Sequence, residues 1–389
     1  MSRVMNGLVQ HAGGIPGVHD LAREYPRDTA ESLIIVTHLL DAREFRELAI
    51  LRVKGWKYPK GDTFFRKQRR KADESSDKTA AFFYRLMKNI GQGLRKECQA
   101  FTVLATPGKI PSILDWCMTP GGFLAVALRL NPDAWALAFG LPEEQGGHRV
   151  LLPDSINVER RLLDITLLAE DMGCETISRD HTDARKFQSR QREPDRRLGL
   201  VICDGATLRN HIRDPNKKDC EARRLTTTQL ALGLEHVEPG GTMVILLHKV
   251  EAWDTVTILN RFNKFSNINL YKPKPGHETR SSFYLIAANI QTQHPEALAA
   301  IEKWKAIWRV LTFEPEECHA RVIRKGELSP KELLDEFGSD LVDLGRCVWK
   351  VQAEALAKAP FNQKRVPQGA PNPHESSSFF RCHSACKGL

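Results

Sequence analysis

Short apolar segments alternate with helical segments between residues 112 and 289, and this alternation constrains the fold more than any other feature. The apolar segments predict strands at residues 112–116, 134–139, 161–168, 198–203 and 242–248, with helices at 123–130, 222–237 and 252–265. Strands that alternate with helices form a mostly parallel sheet covered on both faces. Two further strands, at 267–271 and 282–289, are joined by about ten residues without a helix and are expected to pair antiparallel. The sequence therefore predicts an α/β fold with a doubly wound, mostly parallel seven-stranded sheet.

Helical additions are predicted on both sides of this sheet. Residues 1–77 form a basic, helical N-terminal extension with a helix at 29–55 and an exposed connection at 66–77, and a further helix follows at 78–95. Residues 292–359 form a helical C-terminal region, in which Trp304 and Trp308 are expected in the core rather than in a ligand site. The tail at 360–389 has a composition typical of disorder. Its Cys382, His383 and Cys386 are too few ligands for a closed zinc site, so no metal is predicted.

The charge balance makes polyanions the first partner to consider. The chain has a formal net charge of +9 and a pI near 9.1. Within residues 52–71, nine basic residues accompany a single acidic one, with Trp56, Tyr58, Phe64 and Phe65 among them. Positive charge for phosphates and flat rings for bases are what single-stranded nucleic acid requires. The alternative is an ordinary solvated basic surface.

Composition also excludes several classes of protein. In this chain of 389 residues, no apolar run approaches the roughly 20 residues needed to cross a bilayer, so no membrane partner is expected. Nine cysteines are scattered singly, and the first ten residues show no secretory signal. These features predict an intracellular protein with reduced thiols. They leave its compartment and oligomeric state open.

The sharpest local pattern follows the first predicted strand. Asp115 lies near the strand end, and a turn with Pro120, Gly121 and Gly122 opens the helix that begins at Phe123. Nucleotide-like ligands bind at the first strand-to-helix turn of a doubly wound sheet, because glycine permits close approach and a helix N-terminus favours an anionic group. The G-x-G-x-x-G fingerprint is absent, which disfavours a nicotinamide enzyme.

This pattern, Asp115-x-x-x-x-Pro120-Gly-Gly-Phe123, resembles the first motif of the FtsJ-like S-adenosylmethionine-dependent RNA 2′-O-ribose methyltransferases. Further segments are similar to that family in the same order: Asp164-Ile-Thr, Leu200-Val-Ile-Cys-Asp204, residues 229–241 and residues 272–285. The resemblance covers about residues 78–290 and implies a Rossmann-like methyltransferase domain over 78–291. It also implies S-adenosylmethionine as cofactor and RNA as partner. The cofactor-binding residues that it implies are Asp115, Pro120, Gly121, Gly122, Phe123, Asp164 and Asp204.

The resemblance is incomplete at the catalytic residues. The family uses a Lys-Asp-Lys-Glu tetrad, of which Asp204 matches the Asp; the first Lys falls near Arg85, with Lys88 as the other candidate. Leu246 stands at the position of the second Lys, the family's base, and Ser282 at that of the Glu. Arginine holds a charge or a phosphate but is no base.

Two neighbours of Leu246 are candidates to replace the base. His248 is two residues on, hence on the same strand face, whereas Lys249 reaches the cleft only where the strand has ended. The predicted catalytic set is therefore Asp204, Arg85, His248 and Lys249. The alternative function is a catalytically degenerate domain that binds RNA or protein. Glu143 or Glu144 could contact the cofactor ribose, or be solvated loop charges.

Overall fold

The computed structural model describes residues 29–73, 76–103, 108–179, 181, 183–191, 196–207 and 220–363. Residues 1–28 and the predicted disordered tail from residue 364 onward, with Cys382, His383 and Cys386, lie outside the described residues. No helix within the described ranges is long and apolar enough to cross a membrane.

A seven-stranded sheet forms the centre of the molecule. Its strands are β1 (Ser112–Asp115), β2 (Trp135–Gly140), β3 (Val158–Leu162), β4 (Leu198–Cys203), β5 (Val237–His248), β6 (Asn267–Tyr271) and β7 (Ser282–Ala288). They lie in the order β3-β2-β1-β4-β5-β7-β6. Strands β1 to β5 pair in parallel, and β7 pairs antiparallel with both β5 and β6. The predicted α/β fold class is confirmed, including the antiparallel closing pair.

Helices precede, cover and follow the sheet. They are α1 (Thr29–Leu39), α2 (Arg43–Lys57), α3 (Pro59–Asp73), α4 (Asp77–Cys98), α5 (Gly122–Leu130), α6 (Glu221–His236), α7 (Trp253–Phe265), α8 (Pro295–Phe313), α9 (Glu316–Arg324) and α10 (Pro330–Lys358). Ser329 caps the N-terminus of α10, and its side chain and that of Glu332 form a reciprocal capping box. Thus the alternation of strand and helix is confined to the middle of the chain, and helices α1 to α4 and α8 to α10 flank it.

Three predicted segments differ from the structure. The helix predicted at 29–55 breaks between α1 and α2, where Arg46 Nε donates to the Leu40 carbonyl oxygen and satisfies the end of the first helix. The connection predicted at 66–77 is largely the helix α3. The strand predicted at 161–168 ends at Leu162, because the Asp164 side chain caps a short 3₁₀ turn at Ile165–Leu167. The apolar residues of that turn are buried under helices instead of extending the sheet.

The terminal helices share one hydrophobic core with the sheet. Phe45 of α2 and Trp349 of α10 pack with ring centroids 5.2 Å apart, in the same cluster of buried side chains as β4 and β5. Trp304 and Trp308 of α8 are buried there too, as expected for core residues. The tail predicted as disordered from residue 360 is corrected at its start. Phe361 is buried against α3, and Asn362 donates to the Leu356 carbonyl oxygen.

Candidate active site at the carboxyl ends of the strands

One cavity of about 820 Å³ opens at the carboxyl ends of β1, β4 and β5. A volume of this size lies in the upper part of the range found for small-molecule sites, about 300–1,000 Å³. It also lies at the place where open α/β sheets bind their ligands. The residues after β1, β2, β3 and β4 form one end of the wall: Trp116, Cys117, Thr119, Leu141, Leu163, Asp164 and Asp204.

The turn after β1 is held by packing within the protein. A side chain on Gly122 would place its Cβ 2.5 Å from the Tyr84 carbonyl oxygen of α4, and one on Gly121, where φ is +107°, would meet Leu152 at 2.8 Å. Asp115 is buried and accepts a 3.2 Å hydrogen bond from the Cys117 N–H. Burial raises the pKa of Asp115, with the nearby Asp204 as a further cause. Both glycines are therefore required by the contact of the turn with its neighbours.

Asp164 shapes the next part of the wall. Its Oδ1 accepts hydrogen bonds from the N–H and the hydroxyl of Thr166, at 2.9 and 2.8 Å. The Thr166 carbonyl oxygen in turn accepts from Trp308 Nε1 of α8 and from the Arg224 guanidinium of α6, each at 3.0 Å. This loop is thereby fixed to two helices, one of them in the C-terminal addition. Asp164 lines the cavity, at the place expected for a cofactor contact.

Asp204 and Tyr284 form the central polar contact of the site. The Tyr284 hydroxyl donates a 2.6 Å hydrogen bond to Asp204 Oδ1, from β7 across to the end of β4. Burial raises the pKa of Asp204 to about 7, and the hydrogen bond from Tyr284 acts in the opposite direction. Burial also raises the pKa of Tyr284. A carboxyl with this pKa can both donate and accept a proton near neutral pH.

The end of β5 brings the predicted neighbours of Leu246 into the cavity. Leu246 and His248 both line it, as expected for residues two apart on one strand face. Strand β5 ends at His248, and Lys249 adopts a left-handed φ of +53° that turns it into the wall as well. Burial, followed by the charges of Lys272, Lys249 and Arg280, lowers the pKa of His248 to about 4. The His248 ring is enclosed by the cavity walls but open to the cavity itself, and it is neutral at pH 7.

The β6–β7 hairpin contributes His277, which the sequence motifs did not indicate, beside Lys272, Arg280 and Ser282 of the segment that resembles the family's closing hairpin. The His277 Nδ1 lies 2.8 Å from the Ser282 hydroxyl, and its ring packs on Tyr284. Lys272 is buried and donates to the carbonyl oxygens of Ser282 and Arg280. Burial, with the charge of Arg52 next, lowers the pKa of Lys272 to about 7. His277, Arg280 and Ser282 line the cavity, whereas Lys272 lies behind them.

Helix α4 presents apolar side chains to the cavity rather than its cations. Leu86 and Met87 line the wall, whereas Arg85 is exposed and does not. Lys88, the other candidate for the first Lys, is placed over the Tyr84 ring, 5.3 Å from its centroid. The catalytic role predicted for Arg85 therefore has no support in the geometry. Glu143 and Glu144 are exposed and outside the wall, as solvated loop charges would be.

The terminal additions form a roof over the end of the cavity that the β6–β7 hairpin lines. Arg52 of α2 makes a buried ion pair with Glu251 at 2.5 Å and donates to Gln352 Oε1 of α10 at 3.0 Å. Apolar roof residues surround this polar contact: Leu51, Gly55, Trp56, Phe65, Leu356 and Phe361. Gly55 allows the close approach of Phe361, since a Cβ there would lie 2.8 Å from that ring.

This roof corrects part of the prediction for residues 52–71. Arg52 is committed to Glu251, and Lys54 donates to the Asn362 carbonyl oxygen. Phe64 and Phe65 are half-buried and pack on Phe361, and Phe65 lines the cavity, so the two rings are part of the roof and not of an open outer surface. Tyr58, Lys60, Arg66 and Lys67 remain exposed. The sequence shows a basic and aromatic composition, but only the packing shows that part of it faces inward.

The acidic end of the cavity fits a cationic cofactor. Asp164 and Asp204 line it, and Asp115 lies just behind at the end of β1. The Trp116 Nε1 is buried beside them and makes no hydrogen bond with any described residue, so it is available as a donor to a polar ligand. A positively charged ligand favours the ionised form of a buried carboxyl whose pKa is raised, so such a carboxyl attracts a cation. The residues present therefore suit the sulfonium and ammonium groups of S-adenosylmethionine.

Comparison with known proteins agrees with this geometry. A family model described as FtsJ-like methyltransferase matches residues 94–290. No curated protein shows significant sequence similarity to the chain.

Several solved structures of methyltransferases are similar to parts of the chain. An rRNA methylase from Streptococcus thermophilus is 12% identical over 54% of this chain and 95% of its own, with a TM-score of 0.28. A putative methyltransferase from Streptococcus mutans in complex with SAH is 14% identical over 52% and 98%, with a TM-score of 0.30. The fibrillarin pre-rRNA processing protein of Methanococcus jannaschii is 10% identical over 48% and 70%, with a TM-score of 0.28. Likeness at this level assigns no substrate. The family match over half of the chain, however, rests on the segment that builds the site: this chain belongs to the FtsJ-like methyltransferase family.

Proposed function

We propose that the protein transfers a methyl group from S-adenosylmethionine to a ribose 2′-hydroxyl of RNA. The observation that carries the proposal is the Asp204–Tyr284 hydrogen bond in a cavity that has one acidic end and one cationic end. The acidic end suits the cationic cofactor, and the cationic end suits a substrate that carries phosphate. Family membership supports the reaction type.

The cofactor end would be formed by three loops. Asp164 and Thr119 would flank the bound cofactor after β3 and β1, and Asp204 would face its charged part. When bound, S-adenosylmethionine supplies an electrophilic methyl group. The protein supplies position: a hydroxyl held in line with that methyl reacts as though at very high local concentration. Trp308 and Arg224 hold the Asp164 loop in place through Thr166.

Two groups between the acidic end and the cationic end of the cavity can take the proton of the acceptor hydroxyl. Asp204, with its pKa raised to about 7, accepts a hydrogen bond from Tyr284, and His248 is neutral and open to the cavity. Lys272 donates hydrogen bonds to two backbone carbonyl oxygens behind the cavity wall, so its amine is not placed to accept the proton. A general base whose pKa lies near the working pH transfers protons most effectively, which favours Asp204.

A second function rests on two specific side chains. Leu246 and Ser282 occupy the positions where the family's tetrad has a Lys and a Glu, and neither can replace that chemistry. The chain would then bind the cofactor and RNA without rapid methyl transfer. This alternative keeps the family fold and the cavity, but not the catalytic rate.

A methyl transfer assay separates the two functions. Purified full-length protein is incubated with radiolabelled S-adenosylmethionine and total RNA, and the RNA is digested to identify 2′-O-methylated nucleotides. If the proposal is correct, the Asp204→Asn variant loses methyl transfer to RNA. The Asp133→Asn variant, which changes an exposed residue, is the control and keeps it. Cofactor binding without turnover supports the binding module. Methylation of the bases instead of the ribose contradicts the proposed reaction.

A further inference from the structure

The two ends of the cavity differ in charge. Among the described residues, three carboxylates line the cavity: Asp164 and Asp204 at the cofactor end, and Glu221, which is paired with Arg224 at 3.0 Å. The opposite end presents the basic side chains of Lys249 and Arg280, with the neutral His248 ring beside them. Glu251, which lies below the roof, is already paired with Arg52. The roofed end is therefore the cationic one.

Arg280 is the critical group at this end. Its side chain is half-buried in the wall, and its guanidinium makes no ion pair or hydrogen bond with another residue in the described ranges. Lys272 Nζ donates a hydrogen bond to the Arg280 carbonyl oxygen, which holds the backbone at this position. A partly buried guanidinium is normally paired, and its planar fork fits the oxygens of a phosphate or carboxylate.

The roof meets the β6–β7 hairpin where Gln352 Nε2 donates to the carbonyl oxygen of Thr279, the chain neighbour of Arg280, and its cavity side carries aromatic rings. Trp56 and Phe65 line the cavity, and Phe361 supports Phe65 with ring centroids 5.7 Å apart. Helices α2 and α3 and the residues after α10 supply these rings, so the pocket exists only because both terminal additions fold over the sheet. Flat apolar walls favour a planar ring, which stacks on aromatic side chains.

We propose that the roofed end of the cavity binds a planar ring that carries an adjacent anionic group, with the ring against Trp56 and Phe65 and the anion on Arg280. A nucleotide has this chemistry, whether it is free or is one unit of a single RNA strand. The inference rests on the proposed function and deepens it, since it states how the acceptor is held. It assigns the terminal additions to substrate binding.

Calorimetry on the full-length protein saturated with S-adenosylhomocysteine tests the pocket with three probes: uridine 5′-monophosphate, uridine and inorganic phosphate. We expect the monophosphate to bind at least about tenfold more tightly than either of the other two. Arg280→Gln should lower monophosphate affinity about tenfold or more and leave uridine affinity unchanged. Arg321→Gln, which removes an exposed arginine outside the cavity wall, is the matched control and should change neither.

The ring is tested by Trp56→Leu, with Phe65→Leu as a second variant and thermal unfolding as the check on folding. Loss of the flat ring should weaken the monophosphate and uridine about five- to a hundredfold and leave phosphate unchanged. Equal binding of monophosphate and phosphate, or equal effects of Arg280→Gln and Arg321→Gln, would overturn the proposal.

The source of the nucleotide is decided by competition. Single-stranded oligouridylate that displaces the monophosphate identifies an RNA strand, and failure to displace it identifies a free nucleotide; both outcomes keep the pocket. Methyl transfer is measured separately. If nucleotide binding depends on Arg280 but RNA is not methylated, only the proposed reaction is rejected. If RNA is methylated equally well by Arg280→Gln, only the proposed pocket is rejected.

Discussion

The Tyr284 hydroxyl donates its 2.6 Å hydrogen bond to Asp204 by reaching past Leu246, the residue that faces Tyr284 in the β5–β7 register. Leu246 is half-buried and lines the same cavity. The side chain that donates to Asp204 is therefore a phenol from β7, whereas the facing residue on β5 is the apolar Leu246. The phenol is a neutral donor with a pKa raised by burial, so it stabilises the carboxylate without adding positive charge.

This contact predicts how cofactor binding depends on pH. Asp204, with its pKa raised to about 7, is ionised above that value, and the ionised form attracts the cationic cofactor. Affinity for S-adenosylmethionine should therefore rise with pH through about 7, with proton release on binding near neutrality. Tyr284→Phe removes a bond that lowers the Asp204 pKa, so the midpoint should move upward. Calorimetry in buffers of different ionisation enthalpy measures both effects. Tyr58→Phe, at an exposed position, is the control; an unshifted midpoint in Tyr284→Phe contradicts the assignment.

Methyl transfer should show which group accepts the proton. With Asp204 as base, the rate rises around pH 7. With His248 as base it is already constant above about pH 5, because the His248 pKa is lowered to about 4 and not near the usual imidazole value. Loss of the base by Asp204→Asn or His248→Ala should reduce the rate about a hundred- to ten-thousandfold. A rate that rises only above about pH 9 would exclude both Asp204 and His248 as the base.

Leu246→Lys should bring an ammonium beside Asp204. The positive charge favours the aspartate in its ionised form, so the Asp204 pKa should fall and methyl transfer at neutral pH should increase. Burial of the new ammonium costs stability, and Leu246→Met controls for the change of side-chain shape. NMR titration of the Asp204 carboxyl gives the pKa directly. A pKa that is the same in both variants would show that the lysine does not reach the aspartate.

The roof should depend on the buried Arg52–Glu251 pair. Arg52→Met leaves a buried carboxylate without its guanidinium, which should lower the free energy of unfolding by about 3–5 kcal/mol. The exposed pair Arg43–Glu47 provides the control, because Arg43→Met should leave the free energy of unfolding nearly unchanged. Denaturant unfolding measures both. If Arg52→Met is as stable as Arg43→Met, the ion pair does not hold the roof.

Salt dependence should show the surface that contacts RNA. Arg66 and Lys67 of α3 are exposed, whereas Arg52 and Lys54 of the same basic stretch are used inside the protein. Each lost phosphate contact should reduce the slope of log affinity against log salt by about 0.7 for single-stranded RNA. The double variant Arg66→Gln/Lys67→Gln is compared with Arg321→Gln at the exposed surface of α9. An unchanged slope in the double variant would make α3 an ordinary solvated face.

The fold class and the location of the site follow from the amino-acid sequence alone. Continuous apolar runs at β1 and β4 belong to strands buried on both faces, and glycines at 121–122 belong to a turn that packs closely on α4. Acids at strand ends converge because parallel strands end at one edge of a sheet, so the order of the segments already brings Asp164 and Asp204 to the same edge. These relationships are local, because periodicity and turn residues act over a few neighbouring positions.

The partner of each polar group, in contrast, depends on the tertiary structure. Arg52 meets Glu251 199 positions away, and Tyr284 meets Asp204 80 positions away; no spacing along the chain encodes such pairs. The same reason explains the errors. A basic and aromatic stretch has the same composition whether it faces solvent or packs on Phe361, and an apolar loop after Asp164 is as hydrophobic as a strand because α8 covers it. Burial by distant elements explains both errors, since the basic stretch forms part of the roof and the apolar residues after Asp164 form a capped turn.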